Sequence, residues 1–342
     1  MKILLVKLNH IGDTLILTPT IHAIREAYPH AVIDVVVRKG CEGVLEKNPD
    51  IDRIIPLARP EKSHRTLHSS VREFLSLFRS VGLKRYDYAF DLSNSDRAKL
   101  ILLLSAAKRR GINRWHNPLG WKRFLFTDFS DFAWGKEHQV LKDFRTVADI
   151  MNLPGEPGPL RIATDDIPPS LLERFGLTAG SYAVIHPTSR WSFKEWEVQK
   201  WRQIIPELTD RFGKVLITCG PDPREIAVAE AIAADLPDVA LTRGVTTLRE
   251  LAYLIRNARL FLGIDTVAMH IAAAVQTPTV ALFGPTDEWS WGPWSVPHRL
   301  VLGECPCKAA RRFTCDKNRL LPCMEAITAD EVLQNVSELI TE

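Results

Sequence analysis

The stretch Phe261–Pro285, FLGIDTVAMHIAAAVQTPTVALFGP, reads as strand, tight turn, helix and strand. Phe261 to Ile264 is an apolar run closed by Asp265, and Thr279 to Phe283 has the apolar, β-rich character of a strand buried on both faces. Between them, Met269 to Ala274 is a helix of mostly small residues, suited to close packing on a sheet. Asp265 and Thr266 carry short side-chain oxygens able to accept the free N–H groups of a first helical turn. A helix that opens at the carboxyl end of a parallel strand offers those N–H groups and its dipole to an anion. One reading is therefore a phosphate site; the other is an ordinary βαβ unit with a capping aspartate.

The residues before this stretch repeat the pattern. Tyr182 to His186 is a strand that runs into Pro187-Thr188-Ser189-Arg190-Trp191-Ser192-Phe193-Lys194-Glu195-Trp196. Thr188 and Ser189 are hydroxyl donors and Lys194 is a point charge, a set suited to phosphate, although a polar solvent loop reads the same way. The helix from Trp196 to Phe212 contains Pro206, where a kink or break is expected. Val215 to Cys219 is a strand ending at Gly220, and Glu225 would sit near the start of the next helix. A carboxylate there can accept both hydroxyls of a ribose, or simply favour the helix N-terminus. Thr247 and Glu250 form a capping box, read as structural.

In the first half, Lys2 to Leu8 is a strand, Asn9 to Asp13 a short loop, and Thr14 to Ala27 a helix. The loop lacks the G-x-G-x-x-G of dinucleotide binders and instead places Gly12 and Asp13 at the carboxyl edge, where open α/β sheets bind ligands. Asp13 reads either as a general base facing a cleft or as a first-turn residue that stabilises the helix. Strands at Ala31–Arg38, Ile51–Leu57 and Tyr86–Leu92 alternate with helical segments such as Val71–Val81, which implies a parallel, doubly wound sheet. From Asn152 to Pro169 proline and glycine concentrate without periodicity, and the domain boundary is placed there.

Bulk properties narrow the class. A chain of 342 residues suits two domains, and 46% hydrophobic with 25% charged residues is a globular composition. The formal net charge of +3 and the lack of a recognition motif argue against nucleic acid. The opening MKILLVKL is too short for a signal peptide, and the run Leu100–Ala107 falls well below the ~20 residues that span a bilayer, so a cytoplasmic location is expected. Residues 97–127 hold no acid but carry Arg97, Lys99, Lys108, Arg109, Arg110, Arg114, Lys122 and Arg123 among Trp115, Trp121, Phe124 and Phe126. That mixture fits an anionic membrane surface or phosphorylated glycolipid, and equally a solvated face with core aromatics. Arg59, Lys62 and Arg65 are similarly balanced between acceptor phosphates and solvated charge. Six cysteines in a chain of this size suggest reduced thiols. Cys305, Cys307, Cys315 and Cys323 could make a tetrahedral zinc site, but paired C-x-x-C knuckles are missing, and a loop with buried thiols is the alternative.

Taken together these pieces resemble glycosyltransferase family 9, the bacterial lipopolysaccharide heptosyltransferases, over essentially the whole chain. The resemblance rests on Gly12-Asp13, His186-Pro187-Thr188-Ser189 with Lys194 and Trp196, Gly220 with Glu225, and Gly244 to Leu251. It rests further on Asp265-Thr266 with His270, on Phe283-Gly284-Pro285 and on the cysteine run. The wording of the second half is most similar to the heptosyltransferase III type. The resemblance implies an α/β GT-B fold: an acceptor-binding Rossmann-like domain over 1–165, a nucleotide-sugar domain over 166–326, a cleft between them, and a helix from 327 returning to the first domain. It implies an inverting transfer from ADP-L-glycero-D-manno-heptose to a lipid-anchored inner-core acceptor, with transient contact at the inner face of the inner membrane. Asp13 would be the general base; Lys194, Thr188, Ser189 and the N–H groups at Thr266 would stabilise the departing diphosphate. Asp265 would hold sugar hydroxyls, Glu225 the ribose, and His270 would lie near the phosphates, with no metal or cofactor required. Family members carry Gly after the Asp-Thr pair, whereas this chain has Val267, whose side chain would crowd the pyrophosphate or donor sugar. Competing readings are a glycosyltransferase with another nucleotide sugar and a different envelope glycan, a sugar-nucleotide epimerase, and a non-catalytic nucleotide-sugar scaffold. A nicotinamide-dependent oxidoreductase lacks its glycine fingerprint here.

Overall fold

The computed structural model describes residues 1–58, 75, 77–82, 84–114, 120–133, 135–307, 315–316 and 320–341. The chain divides into two compact units, Met1–Ala163 and Thr164–Glu342, against an expected junction at 165/166. Arg59, Lys62, Arg65 and Trp115 lie outside the described residues, as does most of the first half of the expected helix Val71–Val81.

The first unit holds β1 (Lys2–Lys7), β2 (Val32–Arg38), β3 (Arg53–Leu57), β4 (Tyr88–Asp91), β5 (Arg109–Asn113) and β6 (Asp128–Ser130). They form one sheet in the order β3-β2-β1-β4-β5-β6, parallel throughout. Ile3, Leu4, Leu5 and Val6 are completely buried, as a central strand covered by helices on both faces must be. The helix after β1 is interrupted at Leu17, giving Ile11–Ile16 and Thr18–Ala27. Pro19 explains the break, because it has no N–H for the carbonyl of Leu15. The Thr18 hydroxyl donates to that carbonyl instead, at 2.7 Å.

The second unit repeats the plan with β7 (Ala183–His186), β8 (Val215–Ile217), β9 (Val239–Leu241), β10 (Leu260–Ile264), β11 (Thr279–Phe283) and β12 (His298–Leu302). Its order is β12-β11-β10-β7-β8-β9, again all parallel. In each unit the first strand is flanked by the second on one side and the fourth on the other. The order reverses direction at that point, and α/β sheets bind ligands at the carboxyl ends of the strands there. The helix Val198–Phe212 runs through Pro206 without ending.

The last helix, Ala329–Thr341, packs on β11, β12 and the helix Val198–Phe212 of its own unit. Its apolar stripe, Val332, Val336 and Leu339, is buried in the core of the second unit with Trp201, Ile204 and Leu208. That apolar face is thus already covered by the C-terminal unit.

Candidate active site

At the carboxyl edge of the second sheet, the loop after β7 carries Thr188, Ser189 and Lys194, and the turn after β10 carries Asp265 and Thr266. β7 and β10 are neighbours, and Lys194 Nζ meets Asp265 Oδ2 at 2.5 Å, joining the two loops across the switch point. The pair is four-fifths or more withdrawn from water, with side-chain exposures of 20% and 10%. Asp265 therefore does not cap the next helix. Thr266 is the N-cap of Val267–Ala274, yet its hydroxyl makes no capping bond, and Oγ1 is buried without a partner among the described residues. The N–H groups of that first turn have no side-chain cap, so the opening of the helix is available to an anion. His270 is buried one turn further in, within the helix of small residues.

On the other side of β7, Glu225 lies in the first turn of the helix Pro223–Ala233. Its Oε2 accepts the Thr188 hydroxyl at 2.9 Å and the Gly220 N–H at 3.1 Å. A Cβ on Gly220 would stand 2.9 Å from that oxygen, so glycine is what lets the carboxylate lie over this backbone. Gly244, at φ +66°, closes the same corner: a Cβ there would fall 2.6 Å from the Gly220 carbonyl. Thr188 thus donates its proton to Glu225 here. Ser189 differs: its Oγ accepts the Trp191 N–H at 3.1 Å and keeps its own proton to donate. His186 is structural. Burial pulls its pKa down to about 4, so the ring is neutral, and Nδ1 meets Thr218 Oγ1 at 2.8 Å. Thr218 already donates to the Ile185 carbonyl, so Nδ1 carries the proton of that bond.

Two residues of this corner escaped the sequence reading. Glu195 accepts the Ser189 N–H at 2.8 Å and binds the Arg224 guanidinium at 2.8 and 2.9 Å. Arg224 also donates to the Ser189 carbonyl at 2.5 Å. Together they tie the Thr188–Lys194 loop to the helix that carries Glu225.

In the first unit Gly12 and Asp13 lie in the first turn of the helix Ile11–Ile16, not in the preceding loop. Asp13 Oδ2 accepts the His10 N–H at 3.1 Å, so the capping role is real. Its Oδ1 has no hydrogen-bond partner among the described residues, and the side chain is 12% exposed. Burial works to raise the pKa of this carboxyl, but the His10 bonds and the Lys7 charge outweigh it and hold the group below its ordinary 3.8. Lys7, at the end of β1, is itself buried and meets both oxygens of buried Asp143 at 2.9 and 2.6 Å. Across the switch point, Asp91 ends β4; burial, against the Ser93 N–H, Lys99 and the Asn94 N–H, lifts its pKa to about 6. Ser93 ties the two loops, accepting the Leu8 N–H at 2.6 Å and donating to the Val6 carbonyl at 3.1 Å.

The basic stretch 97–127 is largely paired. Lys108 meets Asp87 at 2.7 Å, Arg114 meets Asp131 at 3.0 Å and Lys122 meets Asp96 at 2.6 Å, while Arg109 pairs with Asp128. Those acids lie outside the stretch. The exposed feature there is apolar: Phe124 is 81% exposed, with Leu100 and Leu103 about two-fifths exposed on one helix face. Among the described residues no helix is long and apolar enough to cross a membrane.

The profile of glycosyltransferase family 9 (heptosyltransferase) matches residues 74–320. This chain belongs to glycosyltransferase family 9. The family 9 chain is 31% identical to a lipopolysaccharide heptosyltransferase 3 of Escherichia coli, over 83% of this chain and 84% of that protein. It is 28% identical to the heptosyltransferase 3 of E. coli strain K12, over 97% and 96% of the two chains. Relatives named heptosyltransferase 1 and 2 match at 26% and 24%, which favours the type 3 branch. The solved E. coli heptosyltransferase WaaC with ADP superposes with a TM-score of 0.80 at 21% identity, over 99% of this chain and 100% of that one. The glycosyltransferase thus has the α/β GT-B fold expected from its sequence.

Proposed function

We propose that this family 9 glycosyltransferase moves heptose from ADP-L-glycero-D-manno-heptose to the inner core of lipopolysaccharide, inverting the anomeric centre. The observation that carries the reading is the Lys194–Asp265 pair set beside the uncapped helix opening at Thr266. The names of its heptosyltransferase 3 relatives support the donor sugar and acceptor class.

An acceptor hydroxyl oxygen attacks the anomeric carbon while Asp13 Oδ1 takes its proton. The bond from that carbon to the diphosphate oxygen breaks, and its electron pair leaves with ADP. The sugar passes through an oxocarbenium-like state as negative charge grows on the diphosphate. Lys194, the Ser189 hydroxyl and the N–H groups after Thr266 stabilise that charge. Lys194 has three donors, so it can keep Asp265 and still reach a phosphate oxygen. Asp265 accepts from sugar hydroxyls, Glu225 offers Oε1 to the ribose, and His270 lies on the phosphate side. Gly12 lets the backbone approach the acceptor beside Asp13. Val267 is the first residue of the helix that faces the donor and restricts the sugar placed there. Phe124, Leu100 and Leu103 touch the inner face of the inner membrane while the lipid-anchored acceptor is engaged.

The test is calorimetric titration of ADP, UDP and GDP, with Lys194→Ala in parallel, followed by turnover with ADP-heptose and core acceptor. Preference for ADP that weakens in the variant, and product only when acceptor is present, is the expected result. Preference for UDP or GDP overturns the donor, release of nucleotide from donor alone identifies an epimerase or hydrolase, and binding without turnover identifies a scaffold.

A further inference from the structure

The loop after β7 carries one large side chain that the chemistry above leaves unused. Trp191 is 48% exposed, and among the described residues of the second unit it is the largest exposed apolar side chain. Trp196 and Trp201, further along the same segment, are buried and meet edge to face at 5.0 Å. Trp191 is exposed yet held. Its N–H donates to Ser189 Oγ at 3.1 Å, and its carbonyl accepts the Lys194 N–H at 2.9 Å, so both main-chain partners are residues assigned to the diphosphate. The indole packs on the Phe193 ring, with centroids 5.8 Å apart and planes tilted by 40°, and Phe193 rests on the core of the unit. The Arg190 guanidinium lies 5.7 Å from the indole centroid.

We infer that Trp191 is a stacking platform for the sugar ring of the nucleotide-sugar donor, set beside the Lys194–Asp265 pair; the role rests on the donor proposed above. A pyranose has two kinds of surface. Its hydroxyls, at the rim, need directional partners such as Asp265. Its faces are largely C–H bonds, and these fit an apolar, electron-rich surface such as the face of an indole. The same face suits the positive charge that grows on the sugar as the diphosphate departs.

Position along the loop selects the sugar over the nucleoside. Thr188, at the start of the loop, meets Glu225, the proposed ribose ligand, whereas Lys194, at its end, meets Asp265. The indole leans on Phe193, the neighbour of Lys194, and so toward the sugar end. Half-buried Val267, two residues after Asp265, supplies an apolar group on the neighbouring loop. The bonds of Glu195 to the Ser189 N–H and to Arg224 fix the loop in advance, so little ordering remains to be done when a sugar covers the ring.

The experiment titrates ADP and ADP-heptose by calorimetry into the full chain, Trp191→Ala and Trp191→Phe, with a melting curve for each. Trp191→Ala should weaken ADP-heptose by about three- to tenfold and ADP by less than about twofold, while Trp191→Phe keeps most of the affinity. The loss in kcat/KM should be at least as large as the loss in affinity. Tryptophan emission gives a second readout: ADP-heptose, but not ADP, should change it by a component that Trp191→Phe lacks. Equal weakening of ADP and ADP-heptose in Trp191→Ala overturns the inference and places the ring on the nucleotide or beneath the loop. Unchanged affinity for both overturns it as well. In these two cases the donor reading stands, provided the unaltered chain turns over ADP-heptose. An unaltered chain that binds ADP-heptose no better than ADP and does not turn it over overturns the donor reading and the inference together.

Discussion

Replacing Asp13 by Asn separates the two roles that the structure gives this carboxylate. Asparagine keeps the size and leaves an oxygen for the His10 N–H, which lies 3.1 Å away. What is lost is the charge. The native carboxyl has its pKa below 3.8, so its ionised form stabilises the fold at neutral pH, and that stabilisation disappears as pH falls through the lowered value. Exchanging a charged first-turn acceptor for a neutral one costs about 0.5–1 kcal/mol, or roughly 2–4 °C in the melting of a unit of this size. The chemical cost is larger: removing a general base lowers the rate by about 10²–10⁴, equivalent to about 3–5 kcal/mol. Donor affinity should change by less than about threefold, because the proposed donor ligands belong to the other unit. The assay follows ADP release with acceptor present, alongside calorimetric ADP binding and a melting curve for each protein. Turnover of Asp13→Asn within tenfold of the unaltered enzyme would refute the assignment of the base. Loss of turnover matched by equal loss of folded protein would show that only the cap was removed.

Four further outcomes are expected. Since Asp13 is held below 3.8, its protonation should produce no acid limb in kcat/KM between pH 5 and 8, and a pH–rate profile showing an Asp13-dependent limb there would count against the geometry. Lys194→Ala should weaken ADP at least tenfold and, by stranding the mostly buried Asp265, cost about 1–3 kcal/mol of stability; adding Asp265→Asn should recover part of the stability but not the affinity, read by denaturation and calorimetry. Glu195→Ala should raise the donor KM more than it lowers kcat, because it frees the Ser189 loop from Arg224 without touching the reacting atoms, and steady-state kinetics distinguish the two. Asp91 binds its proton more tightly in the folded protein, up to about pH 6 against 3.8 unfolded, so its share of stability should fall as pH rises from 4 to 6. Denaturant titrations of the enzyme and of Asp91→Asn across that range should therefore diverge with pH.

Much of this protein was legible from local chemistry. Runs such as Ile3–Val6 and Thr279–Phe283 are apolar at every position, which only a strand covered on both faces tolerates, and the helices between them force parallel pairing. The carboxyl-edge positions of Asp13, Lys194 and Asp265 followed from that alternation, because a βα loop must open at that edge. The family was readable for the same reason, since several short motifs stand in one order along the chain.

Other features belong to tertiary structure alone. No spacing rule announces that Lys194 reaches Asp265, 71 residues away, or that Lys7 is neutralised by Asp143 at a distance of 136. Asp265 was read as a helix cap or as a ligand for sugar hydroxyls; the fold sets a lysine from a neighbouring strand's loop against it, while the Thr266 hydroxyl is buried without a partner among the described residues. Nor does any spacing rule place Glu225 within 2.9 Å of the hydroxyl of Thr188, which was read as a phosphate donor. The final helix showed an apolar face in the sequence, but a stripe at helical spacing carries no address, and packing assigned it to β11, β12 and Trp201. Sequence by itself determined which segments are strands and helices and which residues stand at the sheet edges, because those depend on neighbours within a turn or two. Which charged groups meet there depends on strand order, and strand order is fixed only when the two sheets close around their cores.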